Sequence, residues 1–530
     1  MIKEPISQNL NPFSSPHEYR KTMLLHSLVK YNPENYSGKS LTCVFFTRFC
    51  GVGCPFCFFK SAPPPGKLSV AGHFSDDGVT NFIRFINQAN TGYILVSGGG
   101  EPLNHKNAIL RTIAEAKADR IVLVTSGSWA MNKKAGRAYL RQIEEAISKR
   151  ETPCHITVRI SVSEGHGIKL GTTPAKNLIE IFEEELRDHP YLKFQIHAFE
   201  NDSMLYQILE HFDGHQIDSS EDGRASDDPF VLKVIPQKLY VTFQSGYRII
   251  VGISKIFKSG LRPNLNTPDS LQESIVTYER DLIESEDNNS AIVDNADGRK
   301  GLDWSINYNG NTCTWQNQVN DNQYNLYEDS YEEILEGSLK DPLMLSYIDK
   351  GRLYREEIVA EVSPRSVLRT KGINLRDYSG TVIFEEEKTR LYYAIRAIQD
   401  YLEEGRINID ELQKLPDELC HLIYSDKKKT QEAYHNATYT IIDQYLRKEF
   451  DPIEWRDLFE LIKLGHYDVT EEDIQQALTH YNSQPGVNQI ASLEEIKHEI
   501  GDIERRLTER LMYIKPMNFD ALEDKEAVNE

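Results

Sequence analysis

A parallel α/β architecture from about Gly38 to Phe257 is predicted by a repeating alternation in the sequence: short apolar runs of strand length, separated by longer stretches with helical periodicity. The strands are Leu41–Thr47, Tyr93–Ser97, Ile121–Thr125, Ile156–Val162, Lys193–Phe199 and, after a longer excursion, Tyr247–Ile256. Between them Val79–Gln88, Ala108–Ala118, Lys133–Ser148 and Ala175–Asp188 carry apolar residues at helical spacing. Residues 1–37 form an N-terminal extension. The polar, acidic stretch Asp213 to Asp228 reads as a loop or lid, and Glu284 to Lys300 as a polar connection.

Further on, Leu302–Trp315 forms two β-like arms around Asn309-Gly310, the two-residue signal of a tight hairpin, within an extension spanning residues 261–380. From residue 381 to 515 helical patterns dominate: Phe384–Glu404, Ile409–Tyr424, Thr430–Phe450, Ile453–Leu464, Glu471–His480 and Leu493–Met512, punctuated by Pro416, Pro452 and Pro485. This predicts a separate all-helical domain that could grip a partner or act as a structural cap. Residues 516–530 are acidic, nearly free of apolar side chains, and expected to be disordered.

Composition narrows the function classes. At 530 residues the chain exceeds one typical core, and 39% hydrophobic residues with 10% aromatics argue for globular domains. No apolar run approaches the ~18 residues that cross a bilayer, and the N-terminus lacks the apolar core of a signal peptide, so a cytoplasmic protein without membrane partners is expected. Against 60 basic residues stand 81 acidic ones, a formal charge of -21, which disfavours nucleic acid as a partner. Seven cysteines, three of them in one loop, fit a reducing compartment.

That loop carries the chemistry. Cys50-Gly51-Val52-Gly53-Cys54-Pro55-Phe56-Cys57 places three thiols at Cys-x3-Cys-x2-Cys spacing directly after the first strand. A redox dithiol needs two cysteines and structural zinc wants four ligands, so a compact trio fits neither well. Thiolates suit iron and iron–sulfur clusters. One βα unit downstream, the second strand runs into Ser97-Gly98-Gly99-Gly100-Glu101-Pro102, where glycines let a ligand approach the backbone and a carboxylate can hold an ammonium.

The cysteine loop, with Phe56 before its last thiol, and the Gly99-Gly100-Glu101 turn together resemble the CxxxCxxC and GGE motifs of the radical S-adenosylmethionine (radical SAM) superfamily. The resemblance implies a partial (β/α)6 barrel at 38–260, with the chemistry at the C-terminal ends of the strands. It implies one four-iron four-sulfur cluster on Cys50, Cys54 and Cys57, whose open iron chelates S-adenosylmethionine. Reductive cleavage then yields a 5′-deoxyadenosyl radical, with electrons from a flavodoxin- or ferredoxin-like donor. Ser126 after the third strand, and Arg159, Ser161 and Ser163 on one side of the fourth, resemble the family's contacts to the ribose and carboxylate. An acidic residue commonly stands where Ser163 is found, and Glu164 is a substitute.

The hairpin, followed by Asn325–Ile334, resembles the start of the C-terminal extension in peptide-modifying members. Such extensions often bind further clusters through many cysteines; with Cys313 alone in this region, none is expected. A thiol S–H can return a hydrogen atom to a carbon radical, and Cys313 in this role resembles the peptide epimerases that mature ribosomal natural products, such as the proteusin epimerases. The implied substrate is a peptide, with L-to-D inversion at Cα. Peptide cross-linking or thioether formation, and action on a small molecule such as an amino sugar, nucleoside or amino acid, are the alternatives.

Overall fold

The computed structural model describes residues 11–14, 16–54, 72–199, 202–212, 216–219, 237–254, 292–295, 297–314, 324–364, 382–383, 386–447 and 469–490, together with 492, 494, 495 and 498. Its centre is a mostly parallel sheet. Strands β1 (Ser40–Val44), β2 (Thr91–Val96), β3 (Arg120–Thr125), β4 (His155–Val162), β5 (Leu192–Phe199) and β8 (Arg248–Ser254) lie side by side in that order, all parallel. An antiparallel pair, β6 (Gln216–Ser219) and β7 (Gln237–Thr242), extends the β8 edge. At the other edge β10 (Lys300–Ile306) runs parallel to β1 and carries β11 (Asn311–Thr314) and β12 (Tyr324–Asn325), with β9 (Ile292–Asp294) also paired to β10.

Alternation sorts each strand into two faces. Val44, Ile94, Val96, Ile121, Leu123, Ile156, Val158, Ile160 and Ile196 belong to the main core. The helices that close this face are α2 (Asp76–Gln88), α3 (Lys106–Glu115), α4 (Lys133–Ser148) and α6 (Thr173–Ile181). Helix α2 shows why such a segment folds and docks: the Ser75 side chain caps it by accepting from Gly78 N, two aspartates occupy its first turn, and Val79, Phe82, Ile83, Phe85 and Ile86 bury one stripe. The opposite face is different in kind. A small cluster of Leu41, Tyr93 and Val122, with Leu95 and Val124, gives way along the strands to Arg159, Ser161, Gln195 and His197.

The remaining helices are α1 (Pro16–Leu24), α5 (Glu164–Leu170), α7 (Ser203–His211), α8 (Tyr331–Lys340), α9 (Pro342–Val362), α10 (Glu387–Glu403), α11 (Ile409–Leu412), α12 (Asp417–Ile423), α13 (Lys427–Leu446) and α14 (Glu471–Asn482). Phe13 packs against Tyr392 and Tyr434, tying the N-terminal extension to α10 and α13 in the same core cluster as the sheet. No described helix is long and apolar enough to cross a membrane.

Several expectations are revised. The helix expected over Ile409–Tyr424 is two helices, because Pro416 stands as the N-cap of the second. That expected over Ala175–Asp188 leaves α-geometry at Ile181 and continues as a π-helical turn, Phe182–Leu186. Part of the expected lid, Gln216–Ser219, pairs as β6, and the expected polar connection contains β9. Ile453–Leu464 and residues 516–530 lie outside the described residues, as does most of Leu493–Met512.

Candidate functional site

β1 delivers the chain into a clasp. Phe46 is buried edge-on against Phe74 and Phe82, with ring centroids 5.6 and 5.3 Å away. Beyond it, Arg48 N donates to Gly72 O at 2.7 Å, Phe74 N to Phe46 O at 3.0 Å, and the Thr47 hydroxyl to Gly72 O at 3.1 Å. The two ends of the segment carrying the cysteines are therefore fixed to each other. Within it the Cys50 and Cys54 side chains are half-buried, Gly53 takes φ +64, and Val52 N–H points at Cys50 Sγ, 3.4 Å away. The Lys169 ammonium on α5 donates to Gly51 O at 3.3 Å. Cys57 and Phe56 lie outside the described residues, and among those described no group of three or more His, Cys, Asp or Glu side chains is placed to hold a metal. Two cysteine sulfurs on a glycine-bearing loop, with an amide aimed at one of them, fit the donor chemistry of a thiolate-ligated iron centre.

The glycine turn after β2 braces this loop. Gly99 sits at φ +89, where a side chain is strained. A Cβ on Gly100 would lie 2.4 Å from Phe49 O and 2.6 Å from Phe49 N, so only glycine lets the two backbones meet. Glu101 N then donates to Phe49 O at 2.8 Å. The two motifs, about 50 residues apart in sequence, touch through main chain at Phe49 and Gly100.

Glu101 itself turns inward. It is 2% exposed, and its carboxylate accepts from Thr125 Oγ1 (2.6 Å) and Leu103 N (3.3 Å) at one oxygen, and from Ser126 N (2.7 Å) and Ser126 Oγ (2.5 Å) at the other. Burial raises its pKa while those hydrogen bonds oppose the rise. Four donors fill the four lone-pair directions of a carboxylate. Here the carboxylate ties the end of β2 to the end of β3.

Past Ser126, the β4 residues divide. Arg159 and Ser161 stay on the open face; the Arg159 guanidinium donates to Gln195 Oε1 at 3.3 Å and hydrogen-bonds the Tyr93 hydroxyl. Ser163 leaves the strand and caps α5, its hydroxyl accepting from His166 N (3.3 Å) and pairing with His166 Nδ1 (2.6 Å). Glu164 faces α7, accepting from Ser203 Oγ at 2.6 Å. A narrow cleft brings Ser126, Ser161 and Ser163 together with His166 and Gly167.

Sequence reasoning missed Tyr93, Gln195, His197 and His166. Burial drives His197 down to about 3, helped by the nearby Arg159 charge, and His166 to about 4, so both are neutral at pH 7. The signal for Gln195 and His197 was present: polar residues two apart in an otherwise apolar strand share one face.

Cys313 lies on β11 opposite Ser305, which in turn pairs with Cys43 of β1. Its Sγ is 3.8 Å from Ser305 O, and burial, reinforced by the Asp303 charge, pushes the thiol up to about 12. It is an S–H group at any physiological pH.

No family model matches this sequence, and no curated protein matches it. Among solved structures, one described as hexahistidine-tagged anSMEcpe with bound AdoMet aligns with 72% of this chain and 98% of its own, at 10% identity and a TM-score of 0.31. Likeness at that level carries no argument, and the function rests on the site.

Proposed function

We propose that this chain is a radical SAM enzyme acting on a peptide, and that the reaction is Cα epimerisation with Cys313 as hydrogen donor. The observation that carries the first part is the seating of Gly100 and Glu101 on Phe49: it supports a shared site built by the two motif loops at the C-terminal ends of adjacent parallel strands. The sequential order of six parallel strands supports the partial barrel. In this reading Cys50, Cys54 and Cys57 hold one four-iron four-sulfur cluster. When bound with S-adenosylmethionine, it supplies reductive cleavage to the 5′-deoxyadenosyl radical.

The chain's own residues do the rest. Gly99 and Gly100 keep backbone, not side chains, against the loop. Glu101 positions Thr125 and Ser126, while Ser126, Ser161 and Ser163, grouped at the C-terminal ends of β3 and β4, are the candidate contacts to a ribose, and Arg159 offers a guanidinium to a carboxylate. With Glu101 saturated, an ammonium is left to the carbonyl groups of the glycine turn. The α-hydrogen of an L-residue leaves from one face and the Cys313 S–H returns a hydrogen atom to the other. The thiyl left on Cys313 regains one electron, from a flavodoxin- or ferredoxin-like donor in the cytoplasm, and one proton.

Iron and acid-labile sulfide in anaerobically reconstituted protein test the cluster: about four irons per chain are expected, and fewer than about three rule it out. For the epimerisation, turnover in deuterated water should place deuterium at one Cα, and Cys313→Ala should abolish that product while 5′-deoxyadenosine still forms. A D-product from Cys313→Ala refutes the donor.

A further inference from the structure

A second cleft lies away from the motif loops. It encloses about 670 Å³ and is lined by Lys30, Tyr31, Asn32, Asn35, Tyr36, Gly298, Lys300, Asp349 and Arg406. Lys300 opens β10 and residues 37–39 lead into β1, so the cleft sits by the N-terminal ends of these strands. The cysteine loop follows the other end of β1. Five residues of strand put about 16 Å between the two.

The wall is built rather than incidental. Lys30 N donates to Arg406 O at 2.9 Å beside the Val29–Ile407 bridge, and Gly38 N donates to Lys300 O at 3.0 Å, so both lysines stand on hydrogen-bonded backbone. Asp349 is committed to that wall: it accepts from Tyr36 Oη (2.7 Å), Arg406 Nη2 (2.8 Å) and Tyr401 Oη (3.4 Å). Arg406 is shared between Asp349 and Glu404 (3.6 Å), so Lys30 and Lys300 are the lining cations left without an acidic partner among the described residues, on a chain whose formal charge is -21.

We infer that this cleft binds an acidic peptide segment. Its volume falls within the range of ligand sites. Lys30 and Lys300 pair with carboxylates, and Asn32 and Asn35 add amide-bearing residues to the lining. A compact anion such as phosphate would fill little of a cleft of about 670 Å³, whereas a segment carrying more than one carboxylate can occupy it and pair with both lysines. The inference does not depend on the cluster or on the reaction at the other end of the strands.

The probe is fluorescein-labelled hexaglutamate, followed by fluorescence anisotropy with the full chain at 50 mM and 300 mM NaCl. Saturable binding is expected, weakened at the higher salt because the contacts are charged. Lys30→Glu with Lys300→Glu should weaken it at least tenfold, with thermal midpoint and S-adenosylmethionine cleavage unchanged. Should the double reversal fail to fold, Lys30→Gln with Lys300→Gln takes its place, with a smaller loss in the same direction. Absence of saturable binding, equal affinity in the folded variant, or equal binding of labelled hexalysine overturns the inference. Full displacement by equimolar inorganic phosphate does so too, since it marks a small-anion site.

Discussion

Replacing Glu101 probes the joint between the two strand ends. In Glu101→Ala the hydroxyls of Thr125 and Ser126 can rotate to other acceptors, but Ser126 N–H and Leu103 N–H cannot. Each buried amide left without an acceptor costs about 1–3 kcal/mol, and relief from burying a carboxylate returns part of that, leaving a net loss of about 3 kcal/mol. If the sheet unfolds as a unit of roughly 200 residues, the midpoint falls by about 6–12 °C. Glu101→Gln retains one carbonyl oxygen, whose best use is to keep the 2.7 Å bond from Ser126 N; its amide nitrogen then faces Leu103 N, where the original contact is the longest at 3.3 Å. A loss of about 1 kcal/mol follows. Differential scanning calorimetry of the iron-free protein measures both. An alanine variant within a degree of wild type would refute the claim that this carboxylate is structural.

Gly100→Ala forces a methyl into the Phe49 backbone and should cost about 1–3 kcal/mol while lowering iron per chain after reconstitution, measured by colorimetric iron assay. Cys313, protonated up to about 12, should resist iodoacetamide at pH 8 in the folded protein, as peptide mapping of alkylated cysteines will record. His197 and His166 have folded pKa values of about 3 and 4 against an ordinary 6.5, so the folded state binds fewer protons than the unfolded one between those limits. Stability is therefore full above pH 6.5 and declines on acidification toward pH 4; His197→Gln should flatten that decline in melts at pH 7.5 and 5.0. Lys169→Gln removes a cation from the cysteine loop and, for the cluster proposed there, should lower the midpoint potential in an EPR-monitored titration, with Lys169→Arg restoring it.

How legible the fold was in sequence depended on whether each signal was local. The six parallel strands were found because each is an apolar run bounded by polar turns, and the β10–β11 hairpin because Asn309-Gly310 encodes its turn; Gly310 sits at φ +86. Both motif loops were visible for the same reason. Helix α5 was not, since seven residues rich in glycine carry no helical period, and its start depends on Ser163 acting as a cap rather than as a strand residue. The inward turn of Glu101 was equally hidden: Thr125 and Ser126 lie 24 and 25 residues away, and nothing in the sequence brings them to it. The break before α12 was within reach, because Pro416 was noted but not used to end a helix.

The two faces of the sheet explain why the site forms where it does. On the helix side, aliphatic residues from every parallel strand join one core, which fixes strand order and register. The same alternation sends Cys43, Arg159, Ser161, Gln195, His197 and Ser305 to the opposite face, with Cys313 added by β11 in register with Ser305. Two groups on that face are held in one form: His197 is neutral beside the Arg159 guanidinium, and Cys313 is protonated. A one-residue slip of β5 would exchange Gln195 and His197 for Ile196 and Ala198, putting an imidazole into the helix-covered core. The packing that secures the fold thus also sets the chemistry of the open face. Core substitutions that loosen β5, such as Ile196→Ala, should raise His197 toward its ordinary pKa before they abolish folding, a change that NMR titration of its ring protons can follow.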